Sequence, residues 1–102
     1  MSREIKRGDV WTLPDARHIL VVSLTGLDEA YGAVLGLVLH PPGRYPDTAV
    51  SVVIDTPMPA TAVAVNLQQL RAVRFAEATH RGTVDAATMA RVDQALRAVL
   101  DL

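Results

Sequence analysis

The side chains of this sequence best suited to acid–base and phosphate chemistry are Arg17 and three histidines, His18, His40 and His80. Arg17 stands immediately before the apolar run Ile19 to Leu24. A guanidinium is not buried without a partner, so Arg17 belongs at a strand entrance, facing a cleft or solvent. His40 closes a second apolar run, Ala33 to His40, just ahead of Pro41 and Pro42. If the two runs are neighbouring strands, Arg17 and His40 approach each other at one end of a sheet. Together they suffice for metal-free cleavage of a phosphodiester beside a ribose 2′-hydroxyl. The imidazole acts as acid or base near neutral pH, and the cation stabilises charge on the phosphorane. The plainer alternatives are a solvated histidine capping a strand and a surface arginine. His18, next to Arg17, points to the opposite face once the strand has begun. His80 falls in a basic stretch with Arg71, Arg74 and Arg81, where it reads as a nucleic-acid or surface contact.

Other chemistries lack their residues. No two histidines lie within four residues of each other, so a local two-histidine metal site is not expected, and no cofactor is called for. There is no phosphate-cradling glycine loop and no cysteine, and nothing marks Ser23 or Ser51 as a nucleophile.

The elements that must position these groups are mostly short, β-branched and punctuated by Pro, Gly and Asp, the pattern of a small β-rich domain. Strands are expected at Asp9 to Leu13, Ile19 to Leu24, Ala33 to His40, Val50 to Ile54, Ala62 to Val65 and Leu70 to Phe75. The prolines at 41 and 42 remove two ladder donors and stop the third strand. Met89, Val92, Leu96 and Val99 then recur at helical spacing, with Asp85 as N-cap and Gly82 and Thr83 as the preceding turn. The expected fold is α+β, mainly β: a compact sheet or barrel with a C-terminal helix packed across it. Gly26 to Gly32, with a short helical turn, and Pro41 to Thr48, which carries Arg44, Tyr45 and Asp47, read as loops leaving the most buried strands.

A chain of 102 residues with no repeats and no linker is a single domain over 1–102. Its modest size means that a dimer would add stability. Ten basic and eleven acidic residues leave no global basic surplus, so any surface for phosphates must be local, as at 71 to 81 or at Arg3, Lys6 and Arg7. The charged N-terminus is not expected to be a secretory signal, and no apolar run is long enough to cross a bilayer. With cysteine absent, the expected location is the cytoplasm.

Several segments recur here in a familiar order: Lys6-Arg7-Gly8-Asp9-Val10-Trp11, Arg17 before Leu20-Val21-Val22-Ser23, Leu67-Gln68-Gln69-Leu70-Arg71, and Gly82-Thr83-Val84 leading into Met89 to Leu96. That order resembles the MazF/PemK toxins of bacterial toxin–antitoxin pairs, over nearly the whole chain. The resemblance implies an SH3-like barrel, shared with the gyrase poison CcdB, and a homodimer with an RNA groove across its interface. It implies metal-independent cleavage of single-stranded RNA to a 2′,3′-cyclic phosphate and a 5′-hydroxyl. It also implies a cognate antitoxin that brings an acidic disordered segment to the groove.

By the same resemblance, Arg17 matches the catalytic arginine, the proline that follows it is His18 here, and the Gly-rich loop before it is shortened to Pro14-Asp15-Ala16. The catalytic threonine aligns with Leu39, which has no proton to donate. Either His40 takes over, or a bulge brings in another group, or the chain binds without cutting. Gln68 replaces the acid of the family's acidic-Gln-(Ile/Leu)-Arg segment, and Gln69 and Arg71 read as structural rather than catalytic. The nucleic-acid contacts expected are His18, Arg44, Arg71, Arg74, His80 and Arg81. The alternative is a CcdB-like gyrase poison or a silent binding protein on the same fold. The tail Ala98-Val99-Leu100-Asp101-Leu102 lacks the tryptophan that the gyrase reading calls for.

Overall fold

Short β-branched runs broken by Pro and Gly pair most readily as antiparallel strands, and the sheet they form here curls on itself. The computed structural model describes residues 4–102, so Arg3 lies outside the described residues. Six strands, β1 (Asp9–Thr12), β2 (His18–Val21), β3 (Ala33–His40), β4 (Ser51–Ile54), β5 (Ala60–Arg71) and β6 (Thr79–Thr83), form one sheet in the order β4-β5-β3-β2-β1-β6. Every pairing is antiparallel. A short helix, α1 (Leu27–Tyr31), joins β2 to β3, and α2 (Ala86–Leu100) closes the described chain. The result is the mainly β half-barrel with a C-terminal helix that the sequence leads one to expect.

The curl brings the far ends of the sheet together. Gly82 on β6 has φ +139°, and a Cβ there would lie 2.7 Å from Cβ of Pro57, in the loop between β4 and β5. Close approach also fixes β2 against β3, where a Cβ on Gly36 would meet Ile19 Cγ2 at 2.6 Å. Each face of the sheet has its own apolar cluster. Val10, Leu20, Leu37, Leu39, Val52, Ile54 and the alanines of β5 pack under Met89, Val92 and Ala95 of α2. Ile5, Trp11, Leu13, Ile19, Val21, Val34, Leu70 and Phe75 fill the other face. The helix begins as its sequence dictates: Asp85 accepts the Thr88 N–H at 2.7 Å, and this bond holds its carboxyl below the usual range.

Three expectations need correction. The fifth and sixth strands expected at Ala62 to Val65 and Leu70 to Phe75 are one twelve-residue strand, β5, followed by a 3-10 turn over Ala72–Phe75. Its middle is polar because Asn66, Gln68 and Gln69 are not sealed in the core, so the apolar pattern breaks although the ladder continues. The true sixth strand, Thr79–Thr83, covers residues read as a turn. Its inward positions are His80 and Gly82, neither of which gives an apolar signal. Strand β2 ends at Val21, three residues early, where the N–H groups of Val22 and Ser23 both donate to Leu35 O.

Candidate functional site

Position 39, where the resemblance implies a reactive hydroxyl, faces inward. Leu39 lies in the cluster beneath α2 with Leu37 and Leu20, so no side chain there reaches the opposite face. Alternation along β3 instead turns Val38 and His40 to that face. Strand β2 pairs with β3 so that Ile19 lies opposite Val38 and His18 opposite Leu39. Arg17 directly precedes the first residue of that ladder on β2, and His40 directly follows the last on β3. The backbone thus brings Arg17 and His40 to one end of two adjacent strands. Their side chains have separate partners.

Arg17 is drawn back onto its own turn. Its N–H donates to Asp15 Oδ1 at 3.1 Å and its Nε to Asp15 Oδ2 at 2.9 Å, while Arg74 Nη2 reaches the same Oδ2 at 3.2 Å. Asp15 thereby holds two cations, and the Arg17 backbone N–H, first among the causes, keeps its carboxyl below the usual range. The Arg17 side chain remains 35% exposed, so the guanidinium is held by an anion rather than walled in. Beside it Pro14, Asp15, Val73, Arg74, Ala76 and Glu77 line an open pocket of ≈ 430 Å³.

His40 belongs to a second cluster. Asn66 Nδ2 lies 2.7 Å from His40 Nε2. The Tyr45 ring packs edge-on to the imidazole, with centroids 4.9 Å apart, and the Arg44 guanidinium lies 5.9 Å from the Tyr45 ring centre. The loop carrying Arg44 and Tyr45 is tied to α2, since Arg91 Nη2 donates to both Asp47 oxygens at 2.8 and 2.7 Å. Thr61 is the cross-strand partner of both His40 and Val53. It is fully buried and its hydroxyl has no partner, so it does not supply an exposed hydroxyl.

The remaining candidates scatter. His18 turns to β1, its Nδ1 2.8 Å from Thr12 Oγ1. His80 is packed inward, with only 16% of its side chain exposed. It stacks edge-on to Trp11 at 5.0 Å, with Nε2 3.2 Å from Asp9 Oδ1. That nearly buried carboxylate also accepts from Thr83 Oγ1 and the Lys6 N–H. The geometry gives His80 a structural place, out of reach of a bulky ligand. Arg71, Arg74 and Arg81 are exposed, Arg71 at the end of β5 and Arg81 on the edge strand β6. Among the described residues no three His, Asp or Glu side chains gather as a metal-ligand set, and no helix is long and apolar enough to cross a membrane.

Asn66, Tyr45 and Asp15 are absent from the candidates drawn from sequence. An asparagine inside a strand run is disfavoured, and that mismatch was the available signal for Asn66. Asp15 read only as a turn residue; its partner Arg17 is two residues away, while its second partner, Arg74, is 59 residues away.

No family model and no curated protein matches the chain, whereas solved structures do. An endoribonuclease from a mycobacterial species superposes with a TM-score of 0.85 at 22% identity, covering 100% of this chain and 96% of that one. An endoribonuclease in complex with its cognate antitoxin, also from a mycobacterial species, superposes at TM-score 0.80 and 22% identity, covering 96% of each chain. A MazE-MazF structure from Deinococcus radiodurans gives 0.82 at 17% identity, covering 99% of this chain and 100% of that one. At such identities the match establishes the fold, which is that of the MazF endoribonucleases.

Proposed function

We propose that this protein is the toxin of a toxin–antitoxin pair, an endoribonuclease of the MazF kind that cuts single-stranded RNA without a metal. The observation that carries the reading is the full-length match to an endoribonuclease fold, combined with Arg17 and His40 each standing one residue beyond the His18–Leu39 pair of β2 and β3. In the reaction the ribose 2′-oxygen bonds to phosphorus and the bond to the 5′-oxygen breaks. One proton leaves the 2′-hydroxyl and one is gained by the leaving oxygen, which yields a 2′,3′-cyclic phosphate and a 5′-hydroxyl. Arg17 meets the charge that builds on the phosphorane, an interaction stronger in the transition state than in the ground state. His40 is the second group at the phosphate, in place of the hydroxyl that Leu39 cannot supply.

Asp15 gives this site its resting state. A carboxylate already bonded to Arg17 and Arg74 occupies the position that an RNA phosphate needs, so substrate binds by exchanging one anion for another. The acidic segment of a cognate antitoxin competes by the same exchange. Arg44, Arg71, Arg74 and Arg81 supply local positive charge on a chain of net charge −1. A second copy of the chain covers the open corner of the sheet around Val53 and Val65, placing the RNA groove between protomers, and the pair works in the cytoplasm.

The test is incubation of the purified protein with a long single-stranded RNA in EDTA. Wild type cuts and leaves cyclic-phosphate ends, and Arg17→Ala does not. Intact RNA in both reactions overturns the nuclease reading.

A further inference from the structure

We infer that Asn66 is a positioning residue for the cleavage reaction, fixing His40 in the tautomer that offers Nδ1–H to a phosphate oxygen; the inference rests on the nuclease reading above. An amide nitrogen donates and has no lone pair to offer. At 2.7 Å from Asn66 Nδ2, His40 Nε2 is therefore the acceptor, and the ring carries its proton on Nδ1. Among the described residues no group of the chain hydrogen-bonds that Nδ1–H.

The placement of Asn66 is built into the long strand. Leu37 pairs with Leu67, yet Leu39 pairs with Ala62, so residues 63–66 of β5 have no regular partner on β3. Such irregularities re-aim side chains, and this one brings an asparagine over the end of β3. Tyr45 packs edge-on against the imidazole, on a loop clamped to α2 through Asp47 and Arg91. The ring is thus fixed in both rotation and tautomer.

The consequence is chemical. With Nε2 occupied, His40 acts through Nδ1 as a donor, the role of a hydroxyl, and not as the base that takes the 2′-proton. It stabilises a non-bridging oxygen without giving up its proton. Preorganised donors of this kind act on the chemical step more than on binding.

Ring ¹⁵N chemical shifts of His40 at neutral pH, measured with RNA cleavage kinetics for wild type, Asn66→Ala and Asn66→Asp, decide the matter. Wild type is expected to show the Nδ1–H tautomer. Asn66→Asp, of nearly the same shape, accepts from the ring and moves the proton to Nε2, and Asn66→Ala releases the ring to a mixture. Both variants lose about tenfold or more in kcat with KM within about twofold, as expected when only transition-state positioning is lost. Arg17→Ala leaves the tautomer unchanged. A wild-type ring protonated on Nε2, or an Asn66→Ala protein with unaltered ring shifts and full kcat, overturns the inference. Wild type that shows the Nδ1–H ring but never cuts RNA overturns the nuclease reading instead, since the spectra need no substrate.

Discussion

The two faces of the curled sheet are finished to different degrees. Beneath α2 the apolar side chains of five strands meet a helix, and the face is closed. On the other side, the cluster built on Trp11, Ile19 and Phe75 covers β1, β2 and the start of β3, while the corner made by β4 and the bend of β5 stays open. Val53 is 39% and Val65 63% exposed there, close to Thr61, His40 and Asn66. The closed face carries most of the buried core, and the open corner carries the polar pair His40 and Asn66. Apolar and polar side chains are separated by parity, because neighbouring residues of one strand, Leu39 and His40, serve the two faces in turn.

Substitutions on each face should keep that separation or break it. The largest effect is expected on the closed face, where Leu37→Ala removes a side chain that is 1% exposed. It should cost about 2–5 kcal/mol in urea unfolding, the usual range for a buried leucine. Next comes the chemistry: Arg17→Ala should lower RNA cleavage by ~10²–10³-fold, as loss of an oxyanion donor does, while leaving Tm nearly unchanged. A large fall in Tm would show that the arginine belongs to the scaffold. A gain is expected from Asp15→Asn, which weakens the hold on Arg17 and Arg74; RNA affinity should rise severalfold at low salt, with the rise shrinking as salt is added.

The helix cap provides a smaller effect with a definite sign. Asp85 has a lowered folded pKa, so its contribution is present above the ordinary carboxylate range and is lost as pH falls through the lowered value. The Tm difference between wild type and Asp85→Ala should therefore narrow in acid, and a difference independent of pH would dispose of the cap. The smallest change is expected at the open corner. Val65→Ser should alter the stability of a single chain by less than about 0.5 kcal/mol, while weakening self-association in sedimentation if a second copy covers that corner.

Which parts were legible in the sequence follows from how each residue signals. Strand β3 and helix α2 were read well because each has one unbroken period, of apolar residues in the first and of helical spacing in the second. Strand β6 was missed because its inward residues are an imidazole that packs on Trp11 and a glycine that packs on Pro57, and neither registers as hydrophobic. The site was half legible. Arg17 and His40 stood out as chemistry-bearing residues at the ends of apolar runs, and each lies one residue beyond the His18–Leu39 pair that ends the β2–β3 ladder. Asp15 holds Arg17 from two residues away, but Arg74, which shares that carboxylate, and Asn66, which meets His40, arrive by contacts across the fold, and spacing along the chain carries no trace of those.

The seam between Gly82 and Pro57 sets a limit on how copies of this protein come together. Backbone ladders that end on short strands turned toward each other leave little template for a foreign strand to extend. At that join the Pro57 ring occupies the place a foreign strand would need beside Gly82, although β4 and β6 remain the two edge strands of the sheet.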